Sequence, residues 1–284
     1  MFKIYYYFTI CLVCFILYKY CKQKIQNYLK TKETVYKLDE TEIDVQTNYN
    51  LLDAKEVSYL FWSGGYNSTF RLCQLLLIEE KPVQTIYIYN DTPYMMNEIK
   101  AIKKIRNNII SNYPILKQKF PPTRYIISIK ENKNIIKQYD DLHNKYGFLD
   151  KSRDYYKTFE KIALYSDGCD YLIECCINKD NDDLTRLFNN TTLEDYNFRY
   201  HKKIKKKEDI HLKELTIFHN LILPVITYNK KELKEYAIIN VFYHIMLLTW
   251  SCENKHNINN NNSNQTLSQC KRCYKCINSP IFIP

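Results

Sequence analysis

The feature that most constrains the fold is a pair of adjacent glycines at the end of a short apolar run. Val57–Trp62 has the length and composition of a buried strand, and it stops at the turn Ser63-Gly64-Gly65. Apolar residues then recur at helical spacing from Phe70 to Leu77. The whole chain contains only 4 glycines, and glycine is favoured where the backbone turns sharply or approaches another group closely. The pattern therefore predicts a strand, a tight turn and a helix, in that order.

Further strands and helices alternate downstream of this unit. The predicted strands are Val83–Tyr89, Tyr125–Ile129 and Asp170–Cys175, and the predicted helices are Met95–Ile109, Phe159–Tyr165 and Lys230–Leu248. Leu221–Ile226 is predicted as a fifth strand or an extended edge. Because strands that alternate with helices are typical of parallel βαβ units, the predicted fold class is α/β, with a parallel sheet flanked by helices. A chain of 284 residues can bury one sizeable core of this kind.

An apolar stretch, Ile4–Tyr18, precedes this domain and has lysines on both sides. A membrane span needs about 20 apolar residues, and Ile4–Tyr18 alone is shorter than that. With the aromatic residues Phe2 and Tyr20 at its ends, residues 1–22 are predicted as a hydrophobic helix that anchors the protein as a tilted or thin-bilayer span. The alternative is a buried helix that packs on the domain. If the stretch is an anchor, the lysine excess after it places the globular part in the cytosol. Residues 23–56 are predicted as a polar linker, and the domain then spans residues 57–284.

Much of the formal net charge of +10 comes from local runs, of which Lys202–Lys207 is the longest. A lysine run is usually a solvated face, and the alternative is a contact with nucleic acid or another acidic surface. The basic segment His201–Glu208 and the Asn-rich run Asn257–Asn264 are both predicted as mobile surface loops.

The segment Ser63–Thr69 has the chemistry of an anion site. In parallel α/β sheets, ligands lie outside the carboxyl ends of the strands. Gly64 and Gly65 allow backbone N–H groups to converge on an anion, and a helix that begins near Ser68 would add its positive end. The hydroxyls of Ser63, Ser68 and Thr69 can donate hydrogen bonds. The segment therefore predicts a site for a phosphate or pyrophosphate, and the alternative is an ordinary glycine-rich turn capped by Ser68.

Four cysteines near the end of the chain have the spacing of a metal site. They follow the pattern C-x17-C-x2-C-x2-C and are Cys252, Cys270, Cys273 and Cys276. A tetrahedron of thiolates is typical of a structural zinc site, and C-x2-C steps place successive sulfurs around one ion. Disulfides are the alternative, which a cytosolic location disfavours. The sequence therefore predicts one bound Zn²⁺, and the remaining cysteines are predicted to be small hydrophobic residues.

The run FWSGGYNSTF, Phe61–Phe70, resembles the S-G-G-x-D-S loop of the ATP-pyrophosphatase (PP-loop) superfamily, whose members adenylate a carboxyl, carbonyl or amide oxygen and release pyrophosphate. Together with the cysteine pattern, it makes the chain similar to the 7-cyano-7-deazaguanine synthases of queuosine biosynthesis. Three further segments carry the resemblance: Ser166–Asp170, Asn229–Leu233 and Leu248–Cys252. The resemblance implies an adenine nucleotide alpha hydrolase-like fold that uses ATP, Mg²⁺ and Zn²⁺.

The activity that the resemblance implies is an ATP-dependent ligase, which joins 7-carboxy-7-deazaguanine with ammonia and forms the nitrile through an amide. Its nucleotide-binding residues would be Ser63, Gly64, Gly65, Asn67, Ser68, Thr69 and Lys230. Lys230 would neutralise a phosphate, Asp180 would bind the purine edge, and zinc would fix one wall of the site. The ordinary alternatives are a solvated helix lysine at 230 and a loop carboxylate at 180.

The chain departs from this family at Asn67, where the family has an aspartate beside the phosphates and their magnesium ion. An amide keeps the size and one acceptor oxygen but loses the charge that attracts the metal. The acidic position after the second strand is Asn90 or Asp91, and the glycine that the family has near Glu174 is missing. Two alternatives follow. One is a different PP-loop enzyme that modifies tRNA and uses Lys202–Lys207 on phosphates, and the other is a nucleotide-binding homologue with impaired catalysis.

Overall fold

The structure is a computed structural model, and it describes residues 19, 57–90, 92, 94–146, 154–180, 185, 187–188, 193–196, 198–204 and 213–250. The chain divides into two units, Met1–Asn50 and Leu51–Pro284. The predicted N-terminal helix apart from Lys19, the predicted linker, the Asn-rich run and the predicted zinc ligands lie outside the described residues. Where the structure does describe helices, none has the length and apolar character to cross a membrane.

The described residues form one seven-stranded sheet in the order β3-β2-β1-β4-β7-β6-β5. The strands are β1 Ser58–Phe61, β2 Val83–Ile88, β3 Arg124–Ile126, β4 Ile173–Glu174, β5 Leu193–Tyr196, β6 Phe198–Ile204 and β7 Leu221–Leu223. β3, β2, β1, β4 and β7 are parallel. The hairpin β5–β6 extends this sheet, with β6 antiparallel to β7.

Helices connect the parallel strands. They are α1 Tyr66–Cys73, α2 Met95–Asn112, α3 Lys133–Tyr146, α4 Asp154–Asp167, α5 Lys230–Ile239 and α6 Tyr243–Met246, with a π-helical continuation of α1 at Gln74–Ile78 and 3-10 segments at Pro114–Lys117 and Lys213–Phe218. The predicted α/β class, with a parallel sheet and flanking helices, is therefore confirmed.

The sheet is covered by apolar residues on both faces, as is usual for a parallel sheet. Every residue of β2 is buried, as expected of a central strand whose two faces are both covered. Phe61 and Ile86 of the sheet pack in one apolar cluster with Tyr139 of α3 and Phe159 of α4. Phe70 of α1 is fully buried, and its ring lies 5.4 Å from that of Tyr236 in α5. These contacts fix α1 between the sheet and the C-terminal helices.

Several predicted elements differ from the structure in their bounds, and two of them, Leu221–Ile226 and Lys230–Leu248, also differ in form. Leu221–Leu223 is a strand inside the sheet, because β4 pairs with it on one side and β6 on the other. The predicted helix Lys230–Leu248 is interrupted after α5, where Val241 has φ 62°. The N–H of Phe242 donates to Ala237 O at 3.1 Å, a pairing that ends a helix when the residue before it is left-handed.

The predicted surface loop His201–Glu208 is wrong for its first half, because His201–Ile204 belongs to β6. In the hairpin register Lys202 faces Asp195 and Lys203 faces Glu194, and opposite charges at facing positions stabilise a strand pair. Ile204 is fully buried. Lys202 and Lys203 therefore lie in a strand whose facing residues in β5 are acidic.

Candidate functional site

The predicted nucleotide loop lies at the point where the strand order reverses. The chain places β2 and β3 on one side of β1, and β4 and β7 on the other. The reversal therefore falls between β1 and β4, and in parallel α/β sheets ligands bind in the crevice outside the carboxyl ends of the strands at such a point. Ser63–Gly65 follows β1, Cys175–Asp180 follows β4, and Tyr228–Lys230 leads from the loop after β7 into α5.

The two glycines have different tasks. Gly64 has φ 69°, and a Cβ atom at this position would lie 3.2 Å from Glu98 O and 3.2 Å from Ile102 Cγ1. Both the left-handed backbone and the close approach to α2 require glycine here. Gly65 has φ −78°, which any residue adopts, but a Cβ atom there would lie 3.1 Å from Ser63 Oγ and 3.6 Å from Trp250 O. Gly65 therefore keeps the space beside the helix start clear.

Helix α1 begins at Tyr66, with Gly65 as the N-cap and no capping side chain, so the prediction of a start near Ser68 is wrong by part of a turn. Ser68 lies inside the first turn, and its Oγ donates to Gly65 O at 3.3 Å. The first helical bond runs from Thr69 N to Gly65 O at 3.0 Å. The N–H groups that precede Thr69 in a helix have no partner within it, so the start of α1 presents donors to an anion.

The side chains of the loop alternate between the surface and the core. Ser63 and Asn67 are partly exposed, whereas Ser68 and Thr69 are buried. The Thr69 hydroxyl accepts a bond of 3.0 Å from Trp62 Nε1, and this contact holds α1 against the end of β1. Ser63 Oγ accepts from Gly65 N at 3.3 Å. Among the predicted loop ligands, Ser63 and Asn67 are therefore the side chains best placed to meet a ligand.

Asn67 joins the loop after β1 to the loop after β4, since its Nδ2 donates to Cys176 O at 3.4 Å. One turn later, the buried Arg71 makes a two-pronged pair with Glu174 of β4, with Nε to Oε2 at 2.6 Å and Nη2 to Oε1 at 2.9 Å. Burial would lower the pKa of the Arg71 guanidinium, but the carboxylates of Glu174 and Glu79 raise that pKa above its ordinary value, so the group stays charged. Two bonded points therefore hold α1 over β4.

Asp180 and Lys230, both predicted as site residues, lie together. Asp180 Oδ2 accepts from Lys230 N at 2.8 Å and from Asn178 Nδ2 at 3.1 Å. Helix α5 starts in a capping box formed by Asn229 and Glu232. Burial lowers the pKa of the Lys230 ammonium, and Asp180 partly offsets this. The Asp180 carboxylate thus ties the loop after β4 to the start of α5 and sets the position of Lys230.

Trp250, which is 3% exposed, contacts the loop after β1, and this contact was not predicted from the sequence. The backbone N–H of Trp250 donates to Gly64 O at 3.0 Å, and the backbone carbonyl of Trp250 lies beside Gly65. The segment that leads to Cys252 is therefore seated on the loop after β1. The sequence signal was the run Leu248–Cys252, which the resemblance linked to zinc and not to the loop.

The predicted zinc ligands lie outside the described residues, so that site stays a prediction. In the described part of the chain, His, Cys, Asp and Glu side chains form no group of three or more that could hold a metal ion. Cys73 and Cys175 are buried there as free thiols, and burial raises the pKa of Cys175 to about 12. Both behave as the small hydrophobic residues that were predicted.

Comparison of the chain with protein-family models, with curated proteins and with solved structures found no match.

Proposed function

We propose that this protein binds ATP with its phosphates at the start of α1, and that bound ATP activates 7-carboxy-7-deazaguanine for reaction with ammonia. The binding part of the proposal rests on the site geometry. The reaction part rests on the resemblance to the 7-cyano-7-deazaguanine synthases.

One observation carries the binding part: three segments far apart in sequence meet at the carboxyl edge of the sheet. Asn67 contacts Cys176, the N–H of Lys179 donates to Tyr228 O at 2.9 Å, and the N–H of Lys230 donates to Asp180. The start of α1 and the start of α5, where Lys230 lies, therefore border the same edge of the sheet. Such an arrangement suits a polyanion, because helix N-termini and lysines both favour negative charge.

In the proposed reaction, a carboxylate oxygen of the substrate attacks the α-phosphorus of ATP, and pyrophosphate leaves. The loop amides stabilise the charge that develops on the leaving group, which is the way preorganised donors lower a barrier. Lys230 adds a positive charge at the opposite wall. Ammonia then displaces AMP to give the amide. A second ATP adenylates the amide oxygen and releases pyrophosphate, and loss of AMP and of the two amide protons leaves the nitrile.

A nucleotide-binding protein with little or no turnover is the second candidate, and the Asn67 contact favours it. The amide nitrogen of Asn67 is directed at a carbonyl oxygen, and a neutral amide attracts a divalent ion less than a carboxylate does.

The test is exchange of labelled pyrophosphate into ATP with 7-carboxy-7-deazaguanine and ammonium, measured on the wild type and on Asn67→Asp. Exchange that depends on the deazapurine supports the ligase. ATP binding without exchange in the wild type supports the second candidate. Absence of both ATP binding and exchange refutes the proposal.

A further inference from the structure

Asn67 occupies a distinctive place in the crevice between β1 and β4. It is partly exposed, it lies in the first turn of α1, and its Nδ2 faces Cys176 O at 3.4 Å. Arg71, four residues later, faces Glu174, two residues before Cys176. Residues four apart lie on one face of a helix. The same face of α1 is therefore attached to β4 and its loop at both points.

The described residues around Asn67 do not fit the magnesium ion that the family resemblance implies. Mg²⁺ takes oxygen ligands at about 2.0–2.1 Å and is usually held by one or two carboxylates. Asn67 presents N–H to Cys176 and leaves a single neutral oxygen. Glu174 is paired with Arg71 through both of its oxygens, and Asp180 Oδ2 already accepts two bonds.

The charge around the crevice also opposes a cation. The start of α1 carries the positive end of the helix dipole, and Lys230 lies at the wall formed by α5 with its backbone N–H bonded to Asp180. Among the described residues around Asn67, Glu174 is already paired with Arg71, so a divalent ion held there would meet these positive groups.

We infer that the site takes the triphosphate of ATP without a protein-bound divalent metal ion, and that the Asn67–Cys176 bond joins the two loops where the family uses a carboxylate and a metal. The inference rests on the proposed ATP binding and specifies the form of the ligand. The donors of α1 and the Lys230 ammonium meet the phosphate charge, and Asn67 fixes the distance between the loops after β1 and β4.

The substitution Asn67→Asp reverses this arrangement. A carboxylate oxygen, which carries a formal negative charge, would then face the carbonyl oxygen of Cys176, which carries a partial negative charge. The bond between the loops is lost unless a cation lies between the two oxygens. The variant should therefore need a divalent ion where the wild type does not.

The experiment is calorimetric titration of ATP into the full chain, once with excess EDTA and once with Mg²⁺. The wild type should bind ATP with the same affinity in both buffers, within about twofold. Asn67→Asp should bind about tenfold more weakly in EDTA, which corresponds to about 1.4 kcal/mol, the size of one ordinary hydrogen bond, and Mg²⁺ should restore its affinity. Asn107→Asp makes the same change at an exposed position of α2 and should behave as the wild type does.

The outcomes separate this inference from the proposed function. A wild type that loses tenfold or more of its ATP affinity in EDTA overturns the inference and leaves ATP binding intact. A wild type that binds ATP in neither buffer overturns the proposed function and the inference with it. Thermal unfolding of each variant shows whether a lower ATP affinity reflects a loss of the fold. The inference is also contradicted if Asn67→Asp unfolds like the wild type and its ATP affinity is the same with EDTA and with Mg²⁺.

Discussion

Glu174→Gln is expected to destabilise the protein strongly, because it breaks a buried ion pair from one side only. Arg71 is 1% exposed and Glu174 is 6% exposed, and their two hydrogen bonds measure 2.6 and 2.9 Å. Glutamine keeps the shape of the side chain but has no charge, and its NH2 group would face one of the two guanidinium donors.

The size of the destabilisation depends on which partners the Arg71 guanidinium keeps. Removing one partner of a buried pair costs about 3–5 kcal/mol. Arg71 still contacts Glu79 and Gln74, so the expected loss in the free energy of unfolding is at the lower end, about 3 kcal/mol. Replacing both members together, as Arg71→Met with Glu174→Leu, should cost less than Glu174→Gln alone, because the guanidinium leaves together with its carboxylate and Glu79 keeps its ion pair with Lys81 at 2.9 Å.

Equilibrium unfolding in urea at pH 7 measures these differences. Glu80→Gln is the matched control, since the Glu80 side chain is 78% exposed and lies 3.7 Å from Lys119. Exposed pairs of this kind contribute about 0–1 kcal/mol, so the control should stay close to the wild type. A loss below about 1 kcal/mol for Glu174→Gln would show that the buried pair does not hold α1 on β4 as described.

Three further predictions concern other parts of the chain. Val241→Gly should raise the free energy of unfolding by about 1 kcal/mol in a urea titration, because Val241 is 76% exposed at φ 62° and a β-branched residue is strained there; an unchanged or lower value would contradict the assigned backbone. Glu160→Gln should stabilise the protein at pH 7, since burial and then Asp140 raise the pKa of the folded Glu160 carboxyl. A carboxyl whose pKa is raised in the folded state lowers the free energy of unfolding as pH rises and the carboxyl ionises. The stability gained by Glu160→Gln should therefore vanish below about pH 4.5, the ordinary pKa of the group. A stability gain that does not depend on pH would refute the reasoning. Elemental analysis of reduced protein should give one Zn²⁺ per chain, and Cys273→Ala should lower both the zinc content and the thermal unfolding temperature; metal-free wild-type protein would refute the zinc site.

The parts of the fold that sequence predicted are those with local signals. The unit of β1, loop and α1 follows from apolar periodicity and from glycine at a left-handed position, as Gly64 shows. The strand part of the basic segment was missed because six consecutive residues rich in lysine hide an alternating pattern, and the acidic partners in β5 become apparent only in the hairpin register. Helix α3, Lys133–Tyr146, was missed because its polar residues conceal the few apolar positions that face the core.

In the candidate site too, residues with a local sequence signal were predicted, and contacts between distant parts of the chain were not. The loop residues were found from the sequence, whereas Asp180 and Lys230 were predicted only through the resemblance, and the contact between them was not predicted. The Arg71–Glu174 pair joins residues 103 positions apart, and no local pattern marks such a contact. The seat of Trp250 on Gly64 is equally non-local.

The most direct test of the central claim is calorimetric titration of ATP into Gly65→Val and into Gly168→Val. A side chain at Gly65 enters the space between Ser63 Oγ and Trp250 O, whereas a Cβ atom at the exposed Gly168 lies 3.7 Å from its nearest neighbour. The account predicts an ATP dissociation constant at least about tenfold higher for Gly65→Val and a value within about twofold of the wild type for Gly168→Val. If Gly65→Val folds and binds ATP as tightly as the wild type, the phosphates do not bind at this loop.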